Sequence, residues 1–177
     1  MRSTDARWES LLAGVDCSLC APRADDTAYW LKVAPLRTST LYLDRNQTYR
    51  GHCQLVFDGR HVVGLENLTL DEFTAFMADA HRASQAIARV CSPSLMNYAS
   101  LGNVMPHLHW HLVPRYRTDP RWGGPIYMTE LADMPVTRLT APQYAEIVHA
   151  IRDQLARGIT NAATDKGSCS TFVDTST

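Results

Sequence analysis

Between residues 107 and 111 the chain reads His-Leu-His-Trp-His, and Leu-Val follows. A period of two belongs to extended backbone, where alternate side chains point to the same face. Residues 107–113 are therefore predicted as a strand. It aligns the imidazoles of His107, His109 and His111 and turns Leu108 and Trp110 toward apolar surroundings. Each imidazole brings two ring nitrogens that need partners, so such a row is a poor choice for a hydrophobic core. The chain must build a sheet with one covered face and one face of different character.

The cover comes from segments with a period near 3.6. Residues 70–90 are predicted as a long helix, opened by Thr69 and Glu72 at capping-box spacing and ended by Ser92-Pro93. Its apolar face is Phe73, Phe76, Met77, Ala80, Ile87 and Val90. A last helix is expected over residues 141–157, from Thr140 with Gln143 to Gly158, with Tyr144, Ile147, Val148, Ile151 and Leu155 turned inward. A short helix over residues 4–12, capped by Ser3 or Thr4 and stopped by Gly14, precedes them. Further strands are read at 39–44, 54–57 and 95–99, with a polar loop from Asp44 to Gly51 and a turn at Gly102-Asn103. The plan is α+β, an antiparallel sheet with helices on one face. One domain over 1–158 and a polar, disordered tail over 159–177 are expected.

Composition narrows the function. Seventeen Lys and Arg against 18 Asp and Glu leave a formal charge of −1, which argues against a broad nucleic-acid or membrane surface. No apolar run approaches the roughly 20 residues of a membrane span, and the N-terminus lacks a signal-peptide core. A cytoplasmic protein is expected. Five scattered cysteines do not resemble a disulfide framework, and Cys17-x-x-Cys20 is the one close pair.

Two chemistries suit the histidine row. A neutral imidazole can attack phosphorus while a neighbouring imidazolium protonates the leaving group. Alternatively, His-x-His on a strand is a metal-ligand pair. Spacing does not separate them.

Beyond spacing, residues 107–113 with Pro114-Arg115 resemble the signature of the histidine-triad family. Gly51-His52 with Gln54-Leu55-Val56, the His61 to Leu68 segment, Asn97 and Gly102-Asn103 resemble other family features in the same order. The resemblance covers roughly residues 17–121. It implies a histidine-triad fold and an enzyme that attacks the α-phosphate of a dinucleoside polyphosphate or nucleotide conjugate. His109 would be the nucleophile, His111 would sit beside the phosphate and leaving group, and His107 would orient its neighbours or bind metal. Hydrolase, phosphorylase and transferase variants all fit. The competing classes are a nucleotide-binding regulator with little turnover and a metal-dependent enzyme with the triad as ligands.

The resemblance also implies substrate contacts. Asp44 or Asn46 would meet the ribose, and Asn103 and Arg115 the phosphates, with Arg117 close behind. Asn103 replaces a glutamine common in relatives, and Val104 falls where many carry a hydroxyl. Relatives with an N-terminal Cys-x-x-Cys bind zinc, and the matching set here is Cys17, Cys20, His61 and His107. A structural zinc, no organic cofactor and a homodimer are expected.

Overall fold

A computed structural model describes residues 5–119, 121–126 and 135–164. Five strands form one antiparallel sheet in the order β1-β2-β3-β5-β4. They are β1 (Trp30–Pro35), β2 (Ser39–Asp44), β3 (Cys53–Phe57), β4 (Leu95–Ala99) and β5 (His109–Arg115). Among the described residues the α-helices are α1 (Asp5–Leu12), α2 (Leu70–Cys91) and α3 (Ala141–Thr164). Among the described residues no helix is long and apolar enough to cross a membrane.

α2 begins where its cap predicts. Thr69 Oγ1 accepts from the Glu72 N–H at 3.3 Å, and the Glu72 carboxylate accepts from the Thr69 N–H at 2.9 Å. It ends at Ser92, whose φ of 47° is left-handed. Phe76, Ala80, Ala83 and Ile87 meet Leu41, Leu43, Leu55 and Leu112 in the main core. Phe73, expected on that face, lies at its rim and is 38% exposed. α2 packs on β2, β3 and β5, and α3 on β1 and α2, so both helices cover one sheet face. Asp79 of α2 is buried beneath the β1–β2 turn. Its carboxylate accepts from the Arg37 and Thr38 N–H groups and from the hydroxyls of Thr38 and Ser39.

Three boundaries depart from the sequence reading. β1 was absent from it because Pro35 and a register shift between Lys32 and Ala34 break the alternation of this short edge strand. β5 starts two residues later than expected and runs on through Pro114. Pairing with β3 ends at Leu112, so beyond it β5 has only β4 as a neighbour. α3 continues through Gly158 to Thr164. Gly158 is not among the glycines with positive φ, and without a left-handed turn a glycine weakens a helix by about 1 kcal/mol but does not end it. The remaining tail, and the cap at Ser3 or Thr4, lie outside the described residues. Gly14 does close α1, with a φ of +78°.

Candidate active site and metal centre

The expected row of three imidazoles divides in two. On β5, Trp110 and Leu112 face the helices, while His109 and His111 stand on the open face opposite Val56 and Gln54 of β3. His107 lies ahead of the strand, 2% exposed, and turns toward the N-terminal segment.

Backbone carbonyls decide which nitrogen each ring offers. His109 Nδ1 lies 2.6 Å from the His107 carbonyl oxygen. A carbonyl only accepts, so Nδ1 carries the proton and Nε2 keeps its lone pair. His107 is pinned the other way, with Nε2 at 2.8 Å from the Phe57 carbonyl oxygen. His61 Nε2 is likewise 3.0 Å from the Leu12 carbonyl oxygen. Both therefore present a bare Nδ1.

Those two nitrogens face two cysteines. His107 Nδ1 is 3.4 Å from both Cys17 Sγ and Cys20 Sγ, and His61 Nδ1 is 3.3 Å from Cys20 Sγ. The four ligand atoms all lie within 4.8 Å of one another. Zinc bond lengths of about 2.0–2.3 Å place neighbouring tetrahedral ligands roughly 3.5 Å apart, close to these separations. Donor set, spacing and the carbonyls behind each imidazole all fit a four-coordinate zinc. Cys17 is buried, whereas Cys20 is exposed and borders a cavity of about 470 Å³. Among the described residues no other group brings three or more such side chains together, and His109 and His111 stand outside this one.

On the open face, His111 Nδ1 lies 3.1 Å from His52 Nε2. With both rings neutral, one of these two nitrogens donates to the other. The Asn46 backbone beside His52 favours its protonated form. Burial pushes the His111 pKa down to about 3, with His52 and His109 adding to the effect. Burial also lowers His109, against the opposing bond to the His107 carbonyl, and His52, against Asp44. The site holds neutral imidazoles. His52 was not singled out from the sequence as a functional residue, although Gly51-His52 was part of the resemblance.

The other expected residues separate. Asp44 ends β2 with Oδ2 accepting from Gln54 at 2.7 Å and Oδ1 from the Asn46 N–H at 2.7 Å. Asn46 ties its loop to residues 135–137, giving its amide N–H to the Pro135 carbonyl and accepting from Thr48 and Thr137. Asn103 lies on an exposed turn beside Trp8, Gly64 and Leu65.

Arg115, expected to contact the phosphates, bonds groups of the protein itself. Its Nε and Nη2 grip Asp119, Nη1 bonds Asn97 Oδ1 and the Gly124 carbonyl, and Nη2 also reaches the Arg121 carbonyl. A guanidinium has five N–H donors, and all five are committed here. Asp119 holds it strongly cationic, Tyr49 stacks at 5.2 Å, and the side chain is buried. It is a structural knot.

The HIT domain family model matches residues 32–118. The bis(5'-nucleosyl)-tetraphosphatase (asymmetrical) of Schizosaccharomyces pombe is 30% identical over 88 residues, 47% of this chain and 48% of that protein. The match thus spans about half of that relative's length. A histidine triad protein from Bradyrhizobium japonicum superposes with a TM-score of 0.67 at 21% identity, over 76% of this chain and 97% of its own. A zinc-bound histidine triad family protein from Mycobacterium smegmatis gives 0.52 at 17% identity, over 88% of this chain and 96% of its own. With the His109-x-His111 strand end and the antiparallel sheet, these matches identify residues 32–118 as a HIT domain and the chain as a member of the histidine-triad family.

Proposed function

We propose that the protein is a nucleotide hydrolase or nucleotidyl transferase acting on a dinucleoside polyphosphate or nucleotide conjugate. The observation that carries this reading is the His109 Nδ1–H to His107 carbonyl bond, which aims a neutral Nε2 lone pair out of the open face. That nitrogen attacks the α-phosphorus. A phosphorus–nitrogen bond forms and the bond to the leaving-group oxygen breaks, so that the leaving group departs beside His111 as a phosphate oxyanion and His109 becomes a cationic nucleotidyl-imidazolium. Water then attacks the nucleotidyl-His109, the phosphorus–nitrogen bond breaks, and the nucleoside monophosphate is released. His52 positions His111 from behind. Asp44, whose carboxylate oxygens keep spare lone pairs, is the ribose contact we assign. Asn103 is assigned to a phosphate oxygen of bound substrate.

Cys17, Cys20, His61 and His107 would hold a structural zinc, since four protein ligands leave no open position for water or substrate. We assign the homodimer to the β4 edge, where Leu95 and Tyr98 are 54% and 52% exposed. The opposite edge is blunted by Arg152, which bonds the Val33 and Lys32 carbonyls.

The test is capture of the intermediate. Quenching the full chain during turnover of a dinucleoside tetraphosphate should give a nucleotidyl adduct that peptide mass spectrometry maps to His109. Turnover with no adduct on any histidine would overturn the mechanism. Binding with no turnover on a broad nucleotide panel would favour a regulatory protein.

A further inference from the structure

We propose that the Cys17–Cys20–His61–His107 centre aims the His109 nucleophile, so that metal occupancy sets the rate of turnover as well as stability. This rests on the nucleotide-hydrolase reading above and names a control on that same site.

The coupling passes through one peptide unit. Its carbonyl, from His107, holds His109 Nδ1–H at 2.6 Å. Its N–H, from Leu108, donates to the Val62 carbonyl at 2.7 Å. The residues beside the two ends of this unit are His107 itself and His61, the neighbour of Val62. Both are members of the four-ligand set. A metal shared by them fixes segment 61–62 against segment 107–108, and the peptide between those segments orients the nucleophile.

Without a shared ion only thiol–imidazole contacts would join the four donors, and a thiol is a weak donor. None of the four lies on a strand of the sheet, so strand pairing does not hold them in place. Misplacing a reacting group by about 1 Å costs roughly 100-fold in rate. Cys20, exposed beside its cavity, gives the ion a route in and out, which lets loading follow the zinc available in solution. Cys17, Cys20, His61 and His107 are thus positioning residues for His109.

The experiment compares, at one pH, full-length protein purified without chelator, the same protein after chelation, and Cys20→Ser. Zinc content, circular dichroism, kcat and KM on a dinucleoside tetraphosphate, and the His109 ring ¹⁵N–¹H spectrum are recorded. The loaded protein should show one His109 tautomer, protonated at Nδ1. Folded, zinc-free protein should show both tautomers and lose about 10- to 100-fold in kcat while KM stays within about twofold. Added zinc should restore both readouts in the chelated wild type. A folded zinc-free protein with an unchanged spectrum and kcat overturns the proposal, as does a chain that takes up no zinc.

If the loaded protein hydrolyses no nucleotide, the hydrolase reading fails and the His109 spectrum alone decides the coupling. If both zinc-free forms unfold, cadmium-loaded wild type carries the test. Its different metal–sulfur bond length should shift the His109 signals and kcat, and identical values would overturn the coupling.

Discussion

His107 and His109 are the same residue type two positions apart, and they do opposite things. His107 gives its Nε2 proton to the Phe57 carbonyl and turns Nδ1 to a pair of sulfurs. His109 gives its Nδ1 proton to the His107 carbonyl and leaves Nε2 for the open face. One ring is suited to hold a metal and the other to attack phosphorus. The difference teaches that position relative to a backbone carbonyl sets the tautomer, and the tautomer sets the task.

The largest expected effect lies at the nucleophile. His109→Ala should lower kcat by several orders of magnitude while nucleotide binding, read by calorimetry, changes little. Zinc content should stay at one per chain, because His109 is outside the ligand set. Activity near wild type would end its assignment, and loss of zinc would show that the two halves are not separable in this way.

At the other half, the expected damage is to stability. Zinc held about 1,000-fold tighter than its free concentration stabilises by about 4 kcal/mol, and a chain of this size loses about 2–4 °C per kcal/mol. Chelation or Cys17→Ser should therefore lower the melting temperature by roughly 10 °C. Unchanged melting in both, with zinc well below one equivalent, would make Cys17 and Cys20 ordinary thiols.

The far end of β5 sharpens the contrast, because Arg115 was expected at the substrate and is found in the framework. Arg115→Lys keeps the charge but lacks the planar fork that spans Asp119, Asn97 and two carbonyls. Denaturant titration should show a loss of about 2–3 kcal/mol, with KM for nucleotide unchanged. A raised KM with full stability would return Arg115 to the phosphate.

The last contrast is a pH dependence, small near neutral pH. His111 is held down to about 3 in the folded chain, and His52 is lowered as well. Unfolded histidine titrates near 6.5, so below that pH the unfolded chain binds protons that the folded chain refuses. Their contribution is complete above pH 6.5 and should fall progressively as the pH drops toward 3. Buffer-matched melting curves of wild type and His111→Asn should converge in difference above pH 6.5 and separate below it. Parallel curves throughout would show that His111 titrates normally.

Much of the framework was legible because its signals are local. Thr69 and Glu72 mark the start of α2 through a cap formed within four residues, and β2 and β4 follow from short apolar runs. β1 was not legible, since an edge strand with a bulge and a proline lacks the alternation that betrays a strand. Phe73 shares the apolar stripe of α2 but sits at the rim of the core, 38% exposed.

By itself the sequence determined the α+β plan, the period-two row at 107–111 and the four candidate metal-ligand positions matched to a known pattern. Spacing along the chain is enough for the first two, because alternation and capping act over a few residues, whereas the four positions followed from the resemblance to the histidine-triad family. Only the tertiary structure decided that His107 leaves the row, that His52 backs His111, and that Arg115 has no donor left for a substrate. Each of these depends on partners 50 or more positions away, or on a count of acceptors gathered from several segments. Which carbonyl lies behind which ring nitrogen is fixed only when those segments pack together.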